Sequence, residues 1–461
     1  MVNVGALVAI CVMGATGTAI PTAPPAPLPT ATQAPTPPPT LTATASAGGP
    51  TLSLTDALAE LDRQNLTMAQ ARARADEAGG VSREAASALL PTLSAAGSYV
   101  RNSDQVRVSI AGLLGVQPPG APLPSAILIQ PLDALSAAGT LRVPILVPTA
   151  WFDLAQARDA ARAADASASA TRAQVRTSFT QGAYTAAAAE DIVDASERAV
   201  QSAAELSRSA DRQVAAGTAA PLDSLRAKTE QVRRESDLAA ARANLGRARL
   251  ALGVLLGREG PVRIALPAVP DAPEGPVDAL EQEGLAHRPE LDATRAQREA
   301  ADEGVRSAWA RLAPQLSATG SAFTQNVPLP TGKDQGWRAS VDLSWALYDG
   351  GFRYGKRRQA EAQRAQADAA AEAQRLQVLQ EVQDAVRDLD VARERLRLAE
   401  TQRQLASDAA ASARRSFEAG ILSSLDVIDA NDRLYTSDIN LADARARLGQ
   451  SRAALERAVG R

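Results

Sequence analysis

Two periodicities run through this chain, and they predict two kinds of element. The first is a helical seam. Between positions 356 and 419 there is neither proline nor glycine. Leu379, Val382, Val386 and Leu389 step by 3, 4 and 3. After one discontinuity, Ala392, Leu396, Ala399, Arg403, Ala406, Ala410, Ala413 and Phe417 step by 4 and 3 in turn. Such stepping is a coiled-coil repeat, and alanine at most knobs lets neighbouring helices approach closely. Arg387, Asp388, Asp390, Arg393 and Glu394 fall between the knobs and face water. Arg403 is the one charged knob; its stem can cover apolar surface while its head reaches water. Long helices are predicted over 150–216 and 352–419, each about 100 Å at 1.5 Å per residue.

The second periodicity alternates. In "WRASVDLSWAL", Trp337, Ala339, Val341, Leu343 and Trp345 share one face, and Arg338, Ser340, Asp342 and Ser344 share the other. A membrane β-strand has this pattern: apolar toward lipid, polar toward a lumen, aromatics at the two interfaces. Nine residues suit a tilted crossing. An ordinary half-buried hairpin gives the same alternation. In "LRVPILV", Leu141, Val143, Ile145 and Val147 alternate likewise, and Pro144 implies an edge strand or a bulge.

The chain also repeats itself. "LLPTLSAAGSYV" from Leu89 returns as "LAPQLSATGSAF" from Leu312, with Pro91 and Pro314 at an offset of 223 and Asn65 falling on Arg288. "AAGTAAPLDSLRAKTE" returns as "EAGILSSLDVIDANDR", pairing Gly217 with Gly420 and Asp223 with Asp426 at an offset of 203; Gly257 pairs with Gly460. A longer loop after the first strand of copy one accounts for the change of offset. Each copy reads as helix, strand, loop, strand, long helix, turn, helix. Shorter helices are predicted over 54–90, 221–257, 276–313 and 424–459. Ser53 and Asp56 stand in capping-box positions, and Gly79 and Gly80 are candidate interruptions. Strands flank 101–138 and cover 316–323 and 337–347.

The expected division is a signal segment over 1–20, a Pro/Thr-rich linker over 21–52, a first repeat over 53–257, an equatorial inter-repeat linker over 258–275 and a second repeat over 276–461. Two short helices end to end match one long helix, so each copy can build an antiparallel wall. The expected fold class is mainly α with a membrane β-barrel. One chain supplies four strands, whereas the smallest closed barrels use eight, and open edges do not face lipid. Three copies would supply twelve strands, enough to leave a channel.

Composition narrows the function. A net charge of −3 lacks the basic footprint of a nucleic-acid partner. Arginine carries nearly all the positive charge; Lys228, Lys333 and Lys356 are the only lysines. With His287 and Cys11 the sole members of their kinds, neither a Ser-His-Asp triad nor an ordinary zinc site is expected. Met1, Met13 and Met68 make no copper relay. No enzyme activity and no cofactor are therefore expected. "GALVAICVMGA" is too short to span a bilayer and reads as a signal h-region, although the first basic residue is Arg63. Cys11 invites a lipid anchor, but "VAIC" lacks the usual small residue before it. "PTAPPAPLPTATQAPTPPPT" cannot make a packed core.

One stretch, "SFEAGILSSLDVIDANDRLY", breaks a long helix at Gly420 and puts Asp426 and Asp429 on the next helix. Ser423 is a good N-cap, which puts Asp426 at N3. An acid there steadies the helix N-terminus with no further role.

Six segments in order, "LTDALAELDRQN", "LLPTLSAAGS", "VPILVPTAWFDLAQAR", "HRPELDATRAQ", "LSWALYDGGFR" and "FEAGILSSLDVIDANDRLY", resemble the outer membrane efflux protein family, the TolC type, over 54–460. The resemblance implies a homotrimer with a twelve-stranded β-barrel in the outer membrane and a twelve-helix α-barrel extending through the periplasm. It implies a passive exit duct of a tripartite pump for small molecules. The partners would be a periplasmic adaptor and an inner-membrane transporter of RND or ABC type; the same duct serves type I protein secretion.

The resemblance also implies that the turns at Gly217 and Gly420 are periplasmic tips, with Asp426, Asp429 and Asp223 as the aperture acids. Six carboxylates from Asp426 and Asp429 of three copies would attract cations and raise some of one another's pKa values. The polar latches of well-known members fall on Phe417, Leu422 and Leu222. Closure is then expected to rest on apolar contact among those three, with Arg226 partly neutralising the acids. Trp337, Val341, Leu343 and Trp345 would face lipid, and Arg338 and Asp342 the lumen. A soluble periplasmic coiled-coil adaptor or scaffold is the alternative from another class; the aromatic-flanked strands speak against it.

Overall fold

A computed structural model describes residues 51–108, 127–267, 275–327 and 333–461. The signal segment, Cys11, the linker over 21–50 and the middle of the first inter-strand loop lie outside the described residues. The chain runs β1 (Thr51–Ser53), α1 (Leu54–Gln64), α2 (Leu66–Ser87), β2 (Thr92–Arg101), β3 (Val106–Val108), β4 (Ile127–Gln130), β5 (Asp133–Leu146), α3 (Pro148–Ala215) and α4 (Pro221–Leu255). It continues as β6 (Arg263–Ala265), α5 (Val277–His287), α6 (Pro289–Ala310), β7 (Gln315–Gln325), β8 (Gln335–Ser344), α7 (Phe352–Glu418) and α8 (Ser424–Ala458).

Helices α3 and α7 have 68 and 67 residues, as the unbroken seam requires. The shorter helices stack beside them. Over one half of its length α3 packs between α2 and α6, and over the other half between α4 and α8. The outer flank of α6 and α8 is covered by α7. The helices thus form four columns, in the order α4–α3–α8–α7 toward the chain's turns.

Two details differ from the sequence-based expectation. Helix α2 runs through Gly79 and Gly80, and the break falls at Asn65. The second copy breaks at the equivalent Arg288. Asn65 leaves helical geometry and caps α2 by accepting from the Met68 amide at 3.0 Å. Arg288 is driven out of the helical region by Pro289 behind it. The seam of α7 is also more regular than expected. Its buried positions from Val378 onward are Val378, Val382, Ala385, Leu389, Ala392, Ala399, Ala410, Ala413 and Phe417. Leu396, Arg403 and Ala406 fill the remaining places half-buried. These positions step by 4 and 3 without interruption. The bulkier Leu379 and Val386 flank the seam, because the smaller neighbour sits where helices approach closest.

The two repeats build equivalent cores. Ala57, Leu61, Phe179, Ala186, Leu252 and Leu256 pack together in the first. Leu280, Val382, Leu389, Leu455 and Val459 do so in the second. The position of Leu61 is taken by Gly284, where a Cβ would approach the Ala458 carbonyl to 2.9 Å. β1 pairs in parallel with β6, so the end of the N-terminal linker is tied to the inter-repeat linker.

The main sheet is antiparallel, in the order β2–β5–β7–β8. β5 lies between β2 and β7 over 133–142, but Pro144 falls past the end of β2, so it stands at a local open edge and also at a register shift against β7, between Pro144 and Leu146. β2 ends at Thr92 opposite Arg142, leaving that side of β5 unpaired beyond it. The register sorts the side chains into two faces. Leu93, Leu141, Gly320 and Ala339 lie in one row; Ala95, Gly139, Ala322 and Trp337 in the next on the same side; Val143, Ala318 and Val341 in a third. The opposite face carries Ser94, Thr140, Ser321 and Arg338, then Arg142, Thr319 and Ser340, then Ser317 and Asp342. Over these rows one face is apolar and the other polar; in the rows beyond, Ala96, Ala138, Phe323 and Gly336 fall on the polar side and Gly97, Ala137, Thr324 and Gln335 on the apolar side.

Candidate functional site: the helical turns and the two-faced sheet

The turns joining α3 to α4 and α7 to α8 are built alike. Gly217 and Gly420 have φ of 74° and 73°. At the first, the Gly217 amide donates to the Val214 carbonyl and Thr218 to Gln213; at the second, Gly420 donates to Phe417 and Ile421 to Ser416. This paired bond pattern satisfies the last helical carbonyls and needs a left-handed residue, which glycine supplies without strain.

Beyond the second turn, Ser423 caps α8. Its hydroxyl accepts from the Asp426 amide, and its own amide donates to Asp426 Oδ2 at 3.0 Å. The Ser423 hydroxyl also donates to that oxygen at 2.6 Å. Hydrogen bonds from the Ser423 side chain and backbone hold Asp426 below the ordinary aspartate value. In the single chain this shift runs opposite to the rise expected from a carboxylate ring. Asp429 is exposed and paired with Arg433 at 2.9 Å.

Asp223, at the equivalent place on α4, accepts from Ser424 at 2.7 Å. That bond ties the two turns together. Arg226 lies 3.9 Å from Asp223; its ion pair is with that residue, not with Asp429. Nearby, Lys228 holds Asp211 at 2.8 Å, and it lowers that acid's pKa together with the Ser224 hydroxyl. The turns thus carry a lattice of acids and bases, in which Ser424, Arg433, Asp211 and Lys228 had not been singled out from sequence. Only spatial proximity marks them.

Of the apolar trio, Phe417 is 4% exposed. It packs inside the chain among Leu206, Ala210, Ala227, Ala413 and Val427. Leu222 and Leu422 are exposed, together with Leu225, Ile421 and Leu425. Only Leu222 and Leu422 of the trio are therefore presented outward.

In the sheet, Trp337, Val341 and Leu343 stand exposed on the apolar face, and Arg338 and Asp342 on the polar face. Trp345 lies one residue past β8; its indole Nε1 donates to the Leu312 carbonyl at 3.1 Å. Phe323, on the polar face, covers Gly336, where a Cβ would meet the ring at 2.8 Å. No helix among the described residues is long and apolar enough to cross a membrane. No cluster of three or more metal-binding side chains occurs among the described residues.

Long paired helices joined to a two-faced antiparallel sheet define a membrane channel of helical-tube and barrel type. A sequence profile of the outer membrane efflux protein family matches residues 57–258 and 280–461, and the chain belongs to that family. The cobalt-zinc-cadmium resistance protein CzcC of Cupriavidus metallidurans is 28% identical over 307 residues, covering 65% of this chain and 70% of CzcC. The outer membrane protein VceC of Vibrio cholerae superposes with a TM-score of 0.72 at 21% identity, over 88% of this chain and 96% of VceC. The CmeC outer membrane channel of Campylobacter jejuni gives 0.75 at 16% identity, over 88% of this chain and 85% of CmeC. The protein is an outer membrane efflux channel that extends into the periplasm, the exit duct of a tripartite pump.

Proposed function

We propose that three copies of this chain close into one duct, with twelve strands in the outer membrane and twelve helical columns below. The observation that carries the proposal is a shared lack of closure. The sheet's outer strands, β2 and β8, each have one unpaired edge and run in opposite directions. So β8 of one copy can pair antiparallel with β2 of the next. The outer helical columns match: α4 exposes Leu225, Val232, Leu250 and Val254, and α7 exposes Leu376, Val391, Leu398 and Leu405. Val391, Leu398 and Leu405 recur every seven residues, the spacing of a second seam. Two copies would make an eight-stranded barrel, whose interior fills with side chains; three leave a channel.

In this assembly the face bearing Trp337, Val341 and Leu343 meets lipid, and the face bearing Arg338 and Asp342 lines the lumen. The turns at Gly217 and Gly420 form the periplasmic aperture and face the adaptor. Asp429 and Asp426 contribute six carboxylates, which favour cations. Leu222 and Leu422 supply the apolar contact, and Phe417 holds the helix pair beneath them. The chain itself carries no catalytic step; an RND or ABC-type transporter supplies the energy. CzcC is named for resistance to cobalt, zinc and cadmium, which makes divalent cations the first cargo to examine. Measuring the mass of the detergent-solubilised complex tests the assembly: three chains are expected, and a monomer sinks the proposal. Single-channel recordings of Asp426→Ala/Asp429→Ala test the ring, with loss of cation preference expected.

A further inference from the structure

Where the α8 column ends and the α6 column begins, a cavity of about 410 Å³ lies against α3. The antiparallel register of α3 and α8 sets two of its walls. Tyr184 abuts Gly449, and the Gln450 side chain donates to the Gln181 carbonyl at 3.3 Å. One turn further, Thr180 falls level with Ala453, and the next turn brings Arg176 level with Arg457. All four line the cavity. Arg172 and Arg461 line it one turn beyond, on the same two walls.

The carboxylates around this cavity are already matched. Arg172 forks onto Asp62, and Arg461 onto Glu283. Glu290 accepts from Arg457 Nη2 at 3.3 Å, and Glu456 from Arg452 Nε at 3.1 Å. Two guanidinium groups keep unused donors. Arg457 has the Glu290 bond alone, and its Nε is buried without an acceptor. Arg176 makes no side-chain hydrogen bond among the described residues; its ion-pair partner Asp62 is 3.7 Å away. A planar guanidinium fork matches a carboxylate, whose two oxygens offer about four lone-pair sites, enough for both arginines. A phosphate dianion would put a second negative charge beside Glu290 and Glu456. Leu58, Ala173, Pro289 and Ala453 make the rest of the lining apolar, which suits a hydrocarbon body.

We propose that this cavity binds a small organic monocarboxylate, its carboxylate between Arg176 and Arg457 and its hydrocarbon body against Leu58 and Pro289. The ligand bridges the first repeat to the second at mid-height. α3 and α8 are the inner two of the four columns, so the site is complete within one chain and does not rest on trimeric closure.

Isothermal titration calorimetry of the detergent-solubilised protein with sodium benzoate tests this, each variant being read against the wild type in the same micelles. The wild type should bind one benzoate per chain. Arg176→Gln should keep its helix content and bind about tenfold more weakly, the factor one charge-assisted hydrogen bond supplies. Arg176→Gln/Arg457→Gln should show no saturable binding, and Arg393→Gln on α7 should match the wild type. Benzyl alcohol, which keeps the ring and loses the charge, should not bind. Absence of saturable benzoate binding in the wild type overturns the site. So does equal affinity in Arg176→Gln, a result that needs no folded double variant. Benzyl alcohol binding as tightly as benzoate refutes the role of the arginines, and phosphate binding more tightly than benzoate refutes the carboxylate assignment.

Discussion

Asn65 donates from Nδ2 to the carbonyl oxygen of Leu255 at 2.8 Å, and its repeat counterpart Arg288 donates from Nε to the carbonyl of Ala458 at 3.0 Å. Leu255 and Ala458 are the last residues of α4 and α8, so each break in a short helix satisfies the open end of another. A second pair of contacts repeats beside them. Arg258 holds Glu60 through two hydrogen bonds, and Arg461 holds Glu283 in the same way. The middle of the molecule is therefore clamped twice by one design written with different side chains.

Asn65 serves α2 and α4 together. Asn65→Ala should lower stability by about 2 kcal/mol, combining a lost N-cap with an unsatisfied buried carbonyl. Asn65→Ser keeps a capping oxygen but cannot reach Leu255, and should lose about half as much. Denaturant unfolding followed by circular dichroism distinguishes the two; equal losses would refute the double role.

Arg288 is buried and ion-paired with Glu381. Burial pushes Glu381 up, but the hydrogen bonds from Arg288 and Gln377 outweigh it and hold Glu381 below the ordinary glutamate value. The native state therefore takes this proton less readily than the unfolded chain does. The pair's contribution is present above the ordinary glutamate pKa, about 4.3, and fades as pH falls through the lower native value. Arg288→Met removes the largest contribution that lowers Glu381 and leaves the Gln377 hydrogen bond and the Arg457 charge to act against burial. The variant should be less stable by about 3 kcal/mol at pH 7, with the gap narrowing on acidification. Unfolding midpoints between pH 7 and pH 3 check this, and a gap independent of pH would count against it.

Glycine is needed at Gly420 and at Gly449 for different reasons. At Gly420 φ is 73° and a Cβ would meet nothing within 4 Å, so Gly420→Ala should cost about 1–2 kcal/mol of backbone strain alone. At Gly449 a Cβ would collide with the Tyr184 ring. Gly449→Ala should overpack by about 1–3 kcal/mol. Tyr184→Leu should partly rescue Gly449→Ala and do nothing for Gly420→Ala, as thermal unfolding of the double variants would reveal.

Leu398 and Leu405 are exposed on α7 without any role inside the chain. Leu398→Asp/Leu405→Asp should leave helix content intact and split the complex into single chains during size-exclusion chromatography. An intact complex would place the subunit boundary elsewhere.

The sequence by itself determined what depends on neighbours along the chain. The duplication, the two helices of nearly 70 residues, the glycine turns at Gly217 and Gly420, the Ser423 cap and the two-faced pattern of β8 all follow from local dihedral preferences and side-chain period. Only the tertiary structure decided what depends on which element arrives opposite. It put Pro144 at the register shift against β7, just past the end of β2, where its missing N–H costs no ladder bond on the open side. It chose Val378 and Ala385 for the seam over their larger neighbours, because contact distance between helices selects the small side chain. It turned Phe417 inward and joined Asp223 to Ser424 and Arg403 to Asp438. Those pairings join residues up to about 200 positions apart, and no periodicity along one element carries that information.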